Sequence, residues 1–187
     1  TLDNIIAYAG VGYHNGCVYL FGGTTGTTIC QHIVRYNLST KEETIVGNLT
    51  STNYGNAVVF DGVDSFYIAG GKGTATLDDI QKWSISTGGD AVIVNNLTLA
   101  VYGLGVANDL SNNVAYFIGG RDSTGNICNN IWKFDYPAAT TNSPPTISDP
   151  SPADGATNVS LQPTLSVYVS DPDGDSLTVK FYEGNFQ

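Results

Sequence analysis

Few side chains in this sequence have the type and spacing for catalysis or metal binding, and they fall in two places. The stretch Gly-Tyr-His-Asn-Gly-Cys brings Tyr13, His14 and Cys17 close together. Imidazole and thiolate are transition-metal ligands, but the second and last histidine is His32, and no His-x-His or His-x3-His pair supplies the neighbouring imidazoles a zinc or copper centre uses. The other place is Asp171-Pro172-Asp173-Gly174-Asp175, three carboxylates at alternate positions around a glycine, which is how a calcium loop begins. The twelfth position of such a loop, where a bidentate glutamate belongs, is Tyr182. The same residues make a polar hairpin turn, so the expectation is a turn, with Ca2+ held by Asp171, Asp173 and Asp175 as the sharper alternative. No other cofactor is expected.

Modification chemistry is better represented. Asn37, Asn48, Asn96 and Asn158 each precede a Ser or Thr by two residues, the acceptor pattern for N-linked glycans. Asn48 and Asn96 each stand six residues before a tyrosine, Tyr54 and Tyr102. Shared spacing predicts that both lie on one rim of the molecule. The three cysteines, Cys17, Cys30 and Cys128, allow one disulfide and a thiol, a bond to another chain, or three small buried apolar residues.

The elements that position these residues follow from a repeat. Cys17–Gly23 reads as an apolar strand ending in two glycines, and the same ending recurs at Gly70-Gly71 and Gly119-Gly120. The first glycines, Gly22, Gly70 and Gly119, are therefore 48 and 49 residues apart, a period that points to a repeat array. Upstream, Tyr8, Tyr54 and Tyr102 open each unit. Downstream come Ile33-Val34-Arg35-Tyr36, Ile80-Gln81-Lys82-Trp83 and Ile131-Trp132-Lys133-Phe134, each an isoleucine, any residue, a basic residue and an aromatic. Alternate side chains of a strand share a face, so the isoleucine and the aromatic are predicted on opposite faces of a sheet covered on both sides. Tyr36, Trp83 and Phe134 are expected at one buried position. Each unit reads as four strands, in the first at roughly 5–13, 17–23, 31–37 and 43–47; the third lacks its last strand because Tyr136-Pro137 follows the aromatic almost directly.

These spaced features resemble kelch repeats over residues 1–137. The resemblance implies an all-β fold, propeller blades in an incomplete ring. A linker rich in Pro, Thr and Ser follows at 138–145. Residues 146–187 resemble the start of immunoglobulin-like modules of extracellular microbial proteins, with three strands expected, at Thr146–Pro152, Thr164–Asp171 and Leu177–Gly184. Galactose oxidase-like enzymes also join kelch blades to an immunoglobulin-like domain, and that similarity implies a copper site of two histidines, two tyrosines and a crosslinked cysteine. Tyr13, His14 and Cys17 do not match that motif residue by residue.

Composition narrows the function. Seven Lys and Arg against seventeen Asp and Glu give a formal charge of −10, an unfavourable surface for nucleic acid. No apolar run is long enough for a membrane span. Charged residues are only 13% of the chain and methionine is absent. The expectation is a secreted or surface-exposed, non-catalytic structural, adhesive or scaffolding protein. It would be a piece of a larger surface protein or a protomer of an extracellular assembly such as a filament, self-associating or meeting protein partners through open strand edges. A glycan-binding propeller and the copper oxidase are the competing readings; a fold alone does not choose between them.

Overall fold

The computed structural model describes residues 7–138, 143–173 and 176–182, and all of the regular elements among them are β-strands. Chain contacts divide the protein into two units, Thr1–Ala139 and Thr140–Gln187. The first holds two four-stranded antiparallel meanders and part of a third. Strands β1 (Gly10–His14), β2 (Cys17–Phe21), β3 (His32–Asn37) and β4 (Glu43–Asn48) make the first. Strands β5 (Ala57–Phe60), β6 (Ser65–Ala69), β7 (Asp79–Ser84) and β8 (Val92–Asn96) make the second. A short strand β9 (Val101–Tyr102) then leads into β10 (Gly105–Asp109) and β11 (Val114–Ile118). Strand β12 (Arg121–Asp122) pairs with β9, and β13 (Ile131–Asp135) completes a three-stranded sheet in the order β10-β11-β13. No fourth strand follows among the described residues, as the prolines after Phe134 predict. We call these sheets blades one to three.

The double glycines end the second strand of each blade in a left-handed turn: Gly22, Gly70 and Gly119 have φ of 65°, 59° and 66°, and Gly23, Gly71 and Gly120 have 98°, 108° and 92°. A β-carbon is strained at those angles. At Gly22 it would also stand 2.1 Å from the carbonyl oxygen of Asn53, in the next blade. At Gly22 the turn is thus also a point of close approach between blades.

Register shows that the blades are copies. Val18 pairs with Tyr36, Phe66 with Trp83 and Ala115 with Phe134, so the three aromatics do occupy one position. Cys30, Leu77 and Cys128 each donate a backbone hydrogen bond to the second glycine of their blade, at 2.8, 2.9 and 2.9 Å. A bulge recurs at one place in the fourth strand, where Val46 and Val94 are the extra residues. One expectation needs correcting. Ala7 bridges Thr24 where Tyr54 bridges Lys72 and Tyr102 pairs with Arg121, so Ala7, not Tyr8, is the counterpart of Tyr54 and Tyr102. Tyr8 matches Gly55 and Gly103, and shares their left-handed backbone, with φ of 56° against 64° and 70°.

The cores lie between blades, not within them. Tyr19, Phe21 and Ile33 of blade one pack against Phe66, Ile68 and Trp83 of blade two. Ala57, Val59, Tyr67 and Ile80 on the other face of blade two pack against Phe117, Trp132 and Phe134 of blade three. The aromatic contacts are close: the Phe66 ring centroid is 5.1 Å from Phe21 and 5.2 Å from Tyr19, and Tyr67 is 5.3 Å from Phe134. Isoleucine and aromatic fall on opposite faces, as predicted: Ile80 joins the core shared with blade three and Trp83 the core shared with blade one.

In the second unit, β14 (Thr146–Ser151) and β15 (Ser166–Ser170) form an antiparallel pair with an irregular register between Ser148 and Ser151. The third expected strand is not seen: residues 176–182 carry no strand, and 183–187 lie outside the described residues. Leu177, Val179 and Phe181 alternate as a strand would, but exposed apolar side chains with no strand paired to them among the described residues do not fix one.

Candidate functional site

The stacking leaves each end of the first unit with a face that elsewhere is covered. On blade three that face carries Gly105, Ile118 and Ile131 in one cross-strand row and Ala107, Tyr116 and Lys133 in the next. The corresponding rows of blade one are Gly10, Phe21, Ile33 and Gly12, Tyr19, Arg35, and blade two lies over them. Ile131 is 66% exposed, whereas its counterparts Ile33 and Ile80 are 0% and 2% exposed. Ile118 is 40% exposed where Phe21 and Ala69 are fully buried. Tyr116 is half-buried where Tyr19 and Tyr67 are buried. Position in the repeat is the same, so the difference comes from what Ile131 lacks: a sheet over it and the fourth strand that flanks Ile33 and Ile80.

At the other end the face of blade one is open only in part, since Leu20 and Val34 on it are buried. Val11, Leu20, Val34 and Ile45 line up across all four strands, with Tyr13, Val18 and Tyr36 beside them. The matching row of blade two, Val58, Ile68, Gln81 and Ile93, faces blade one. Val11 and Tyr13 are 57% and 61% exposed, against half-buried Val58 and Phe60. Tyr36 is half-buried, and here the expectation of three equally buried aromatics fails: Trp83 and Phe134 are sealed by a preceding blade and Tyr36 is not. Ile45 is exposed for another reason, since its counterpart Ile93 is exposed equally in a covered blade; the fourth strand lies outside the contact. Val11 and Ile118 were not singled out by the sequence, and Ile131 was expected on a covered face, because a repeat gives position and not the presence of a neighbour.

Polar groups mark the seam between blades one and two. Asp79, Gln81 and Asn53 are buried there. Gln81 Nε2 and Thr50 Oγ1 donate to Asp79 Oδ2 at 3.1 and 3.4 Å, and the Thr50 amide donates to Gln81 Oε1 at 2.9 Å. Burial pushes the Asp79 carboxyl above the usual range, against the Gln81 and Thr50 hydrogen bonds that lower it. Asn53 Nδ2 donates to the Gly70 carbonyl at 2.9 Å. Near the outer rim, Arg35 of blade one lines a cavity of about 260 Å3 together with Tyr19 and with Trp83 of blade two. The basic residue of one repeat thus sits beside the aromatic of the next.

The residues singled out for chemistry are dispersed. His14 lies on β1 with its ring centroid 5.0 Å from Phe60, and His32 on β3 donates from Nδ1 to Asn48 Oδ1 at 2.8 Å. Tyr13 Oη accepts a hydrogen bond from the Gly16 amide, and Cys17 packs at the margin of the first core. Cys17, Cys30 and Cys128 are free, half-buried thiols. Asp171 Oδ1 accepts from the Asp173 amide at 2.9 Å, and Asp173 Oδ2 accepts from the Ser143 amide at 2.6 Å. Asp175 lies outside the described residues. Among the described residues no three His, Cys, Asp or Glu side chains converge.

The glycan acceptors differ in environment. Asn48 and Asn96 are structural counterparts, pairing with His32 and Asp79 at the start of the third strand. Asn48 is half-buried, and its Nδ2 donates at 3.0 Å to Asp90 Oδ1 of the next blade. Asn96 is exposed. Asn37 turns the chain after β3, its Oδ1 accepting from the amides of Ser39 and Thr40, and Asn158 is exposed in the second unit.

A family profile described as the Kelch motif matches residues 6–42, which span blade one from Ala7 to the turn before β4. No curated protein matches the chain. No helix among the described residues is long and apolar enough to cross a membrane.

Proposed function

We propose that this chain is a non-catalytic, extracellular scaffold that acts by protein–protein contact through the ends of its blade stack. One observation carries the reading: Ile131 is solvent-exposed at a position where the other two blades bury isoleucine under a neighbouring sheet. An apolar sheet face of this kind is a surface built for contact. Kelch motifs mediate protein interactions, in agreement with the match over blade one. The extracellular setting is supported by the exposed acceptor Asn96, the low content of charged residues, and the resemblance of residues 146–187 to extracellular immunoglobulin-like modules. In that setting the second unit acts as a spacer or attachment module, and a glycan at Asn96 keeps the outer rim hydrated and free of unwanted contacts.

The test is site-specific photo-crosslinking in the source cells, with a benzophenone amino acid at position 131 and, as a control, at Val94 on the exposed fourth strand of blade two. Crosslinks to protein from position 131 and none from position 94 support the reading. Crosslinks from neither, or from position 94 alone, contradict it.

A further inference from the structure

We infer that the cavity at the seam of blades one and two binds an acidic sugar, a single ring whose carboxylate is held by Arg35. The site lies on the covered side of blade one and stands independently of the end faces. Its polar groups lack protein partners. Tyr19 is 4% exposed, yet among the described residues its hydroxyl makes no hydrogen bond, and burial pushes the phenol above its usual range. A buried phenol normally has a partner. Arg35, its cross-strand neighbour, is exposed and makes no ion pair or hydrogen bond among the described residues. The carboxylate of Asp64, which holds the Ser86 amide at 2.8 Å, is committed to that amide and to the Ser84 hydroxyl.

Tyr19 and Arg35 line one cavity of about 260 Å3, below the roughly 300–1,000 Å3 of pockets that take drug-sized ligands, so a single ring fits. The second junction shows why the space is there. Ile85 and Tyr136 are counterparts, their amides donating to the carbonyls of Asp64 and Asn113, just before β6 and β11. Tyr67, paired with Lys82, is the counterpart of Tyr19, paired with Arg35. The Tyr136 ring stacks directly on Tyr67, with centroids 5.3 Å apart and 26° between the planes. Ile85 is too short to do the same, and it lines the cavity together with Tyr19. A ring brought by a ligand takes that space.

The lining selects the ligand. Val46, Ile85 and the carbon edge of Trp83 are apolar, since the Trp83 Nε1 is already donated to the Gly89 carbonyl at 3.0 Å. Exposed Ser86 and Thr87, in the turn after β7, add hydroxyls. A guanidinium beside a phenol and apolar carbon suits a carboxylate on a ring that also carries hydroxyls. An aromatic acid would satisfy Arg35 and leave the Tyr19 hydroxyl unpaired, which costs affinity. A neutral sugar would leave Arg35 without its anion.

Titration of the isotope-labelled chain with glucuronic acid, read by NMR at the indole N–H signals, tests this. The Trp83 signal should shift with a Kd on the order of 1 mM, the scale set by so few ligand atoms. The Trp132 signal, at the other junction, should not move. Arg35→Met, which keeps the apolar stem, should weaken binding about tenfold or more, and Tyr19→Phe about two- to tenfold. Ile85→Tyr, which puts the second junction's residue into the cavity, should abolish it. Arg35 is exposed and the Tyr19 hydroxyl has no partner to lose, so both of those variants should melt with the wild type and decide the matter even if Ile85→Tyr does not fold. No shift with glucuronic acid, an equal shift with glucose, or binding unchanged by both Arg35→Met and Tyr19→Phe overturns the inference. A shift with N-acetylphenylalanine and none with glucuronic acid assigns the cavity to a peptide carboxylate and overturns the sugar.

Discussion

Ile33 and Ile131 hold the same position in the first and third blades, and one is sealed while the other stands in water. Ile33 pairs with Phe21 and lies under blade two; Ile131 pairs with Ile118 and has no blade above it. Ile33 also has β4 beside it, with Gly47 as its partner, whereas β13 is an edge strand, so the pair reports the neighbouring sheet and the fourth strand together.

Truncation should separate the two. Ile33→Ala removes buried methyl groups from a packed seam and is expected to cost about 2–5 kcal/mol. Ile131→Ala should stay within about 0.5 kcal/mol, as for other surface positions. Urea denaturation of the two variants checks the contrast. Equal losses would mean that blade two does not shield Ile33.

The seam also predicts a pH effect. Burial raises the Asp79 carboxyl above its unfolded value, so the fold favours its protonated form. Its contribution to stability is fully present below the unfolded carboxylate pKa and is lost as pH rises through the raised folded value. Asp79→Asn keeps an oxygen to accept from Gln81 and Thr50 and carries no charge. The variant should melt higher than wild type at pH 7 and show no advantage at pH 3, by differential scanning calorimetry. A lower melting temperature at pH 7 would mean that the ionised carboxylate has a compensating partner.

Glycan occupancy should be unequal at the paired acceptors. The Asn48 nitrogen that would carry the sugar is bonded to Asp90 across the blade junction, while Asn96 is exposed. Glycopeptide mass spectrometry of secreted protein should find Asn96 occupied and Asn48 bare. Full occupancy of Asn48 would require the Asp90 contact to open.

Much of this was legible from spacing alone. Double glycines at a period of 48 and 49 fixed three copies of one unit, and Ile-x-basic-aromatic fixed which side chains face opposite ways. Two kinds of error have physical causes. Tyr8 looked like the partner of Tyr54 and Tyr102 by residue type, but bridge register assigns that place to Ala7; letters record side chains, whereas register is set by backbone hydrogen bonds. Tyr36 was expected to be as buried as Trp83, but burial depends on a neighbour that its own repeat does not contain. Gln81 did carry an overlooked signal. A polar residue stands at the inward position held by Val34 and Trp132 in the other blades, and it bonds to the buried Asp79.

Backbone conformation can be probed apart from packing at Gly103. Its φ is +70°, and a β-carbon there would meet nothing within 4 Å. Gly103→Ala should cost about 1–2 kcal/mol from the left-handed backbone alone. At Gly47 a β-carbon would stand 1.8 Å from the Gly89 carbonyl oxygen, so Gly47→Ala must part blades one and two and should lose more. Urea midpoints in the opposite order would show that the junction yields more easily than the turn.

Carbene footprinting of the folded chain tests the central claim most directly. Labelling at Ile131 and Tyr116 should be strong, while Ile33, Ile80, Tyr19 and Tyr67 stay protected. Labelling of Ile33 and Ile80 as strong as that of Ile131 would contradict the account, since equivalent positions would then be equally open and the blades would not cover one another.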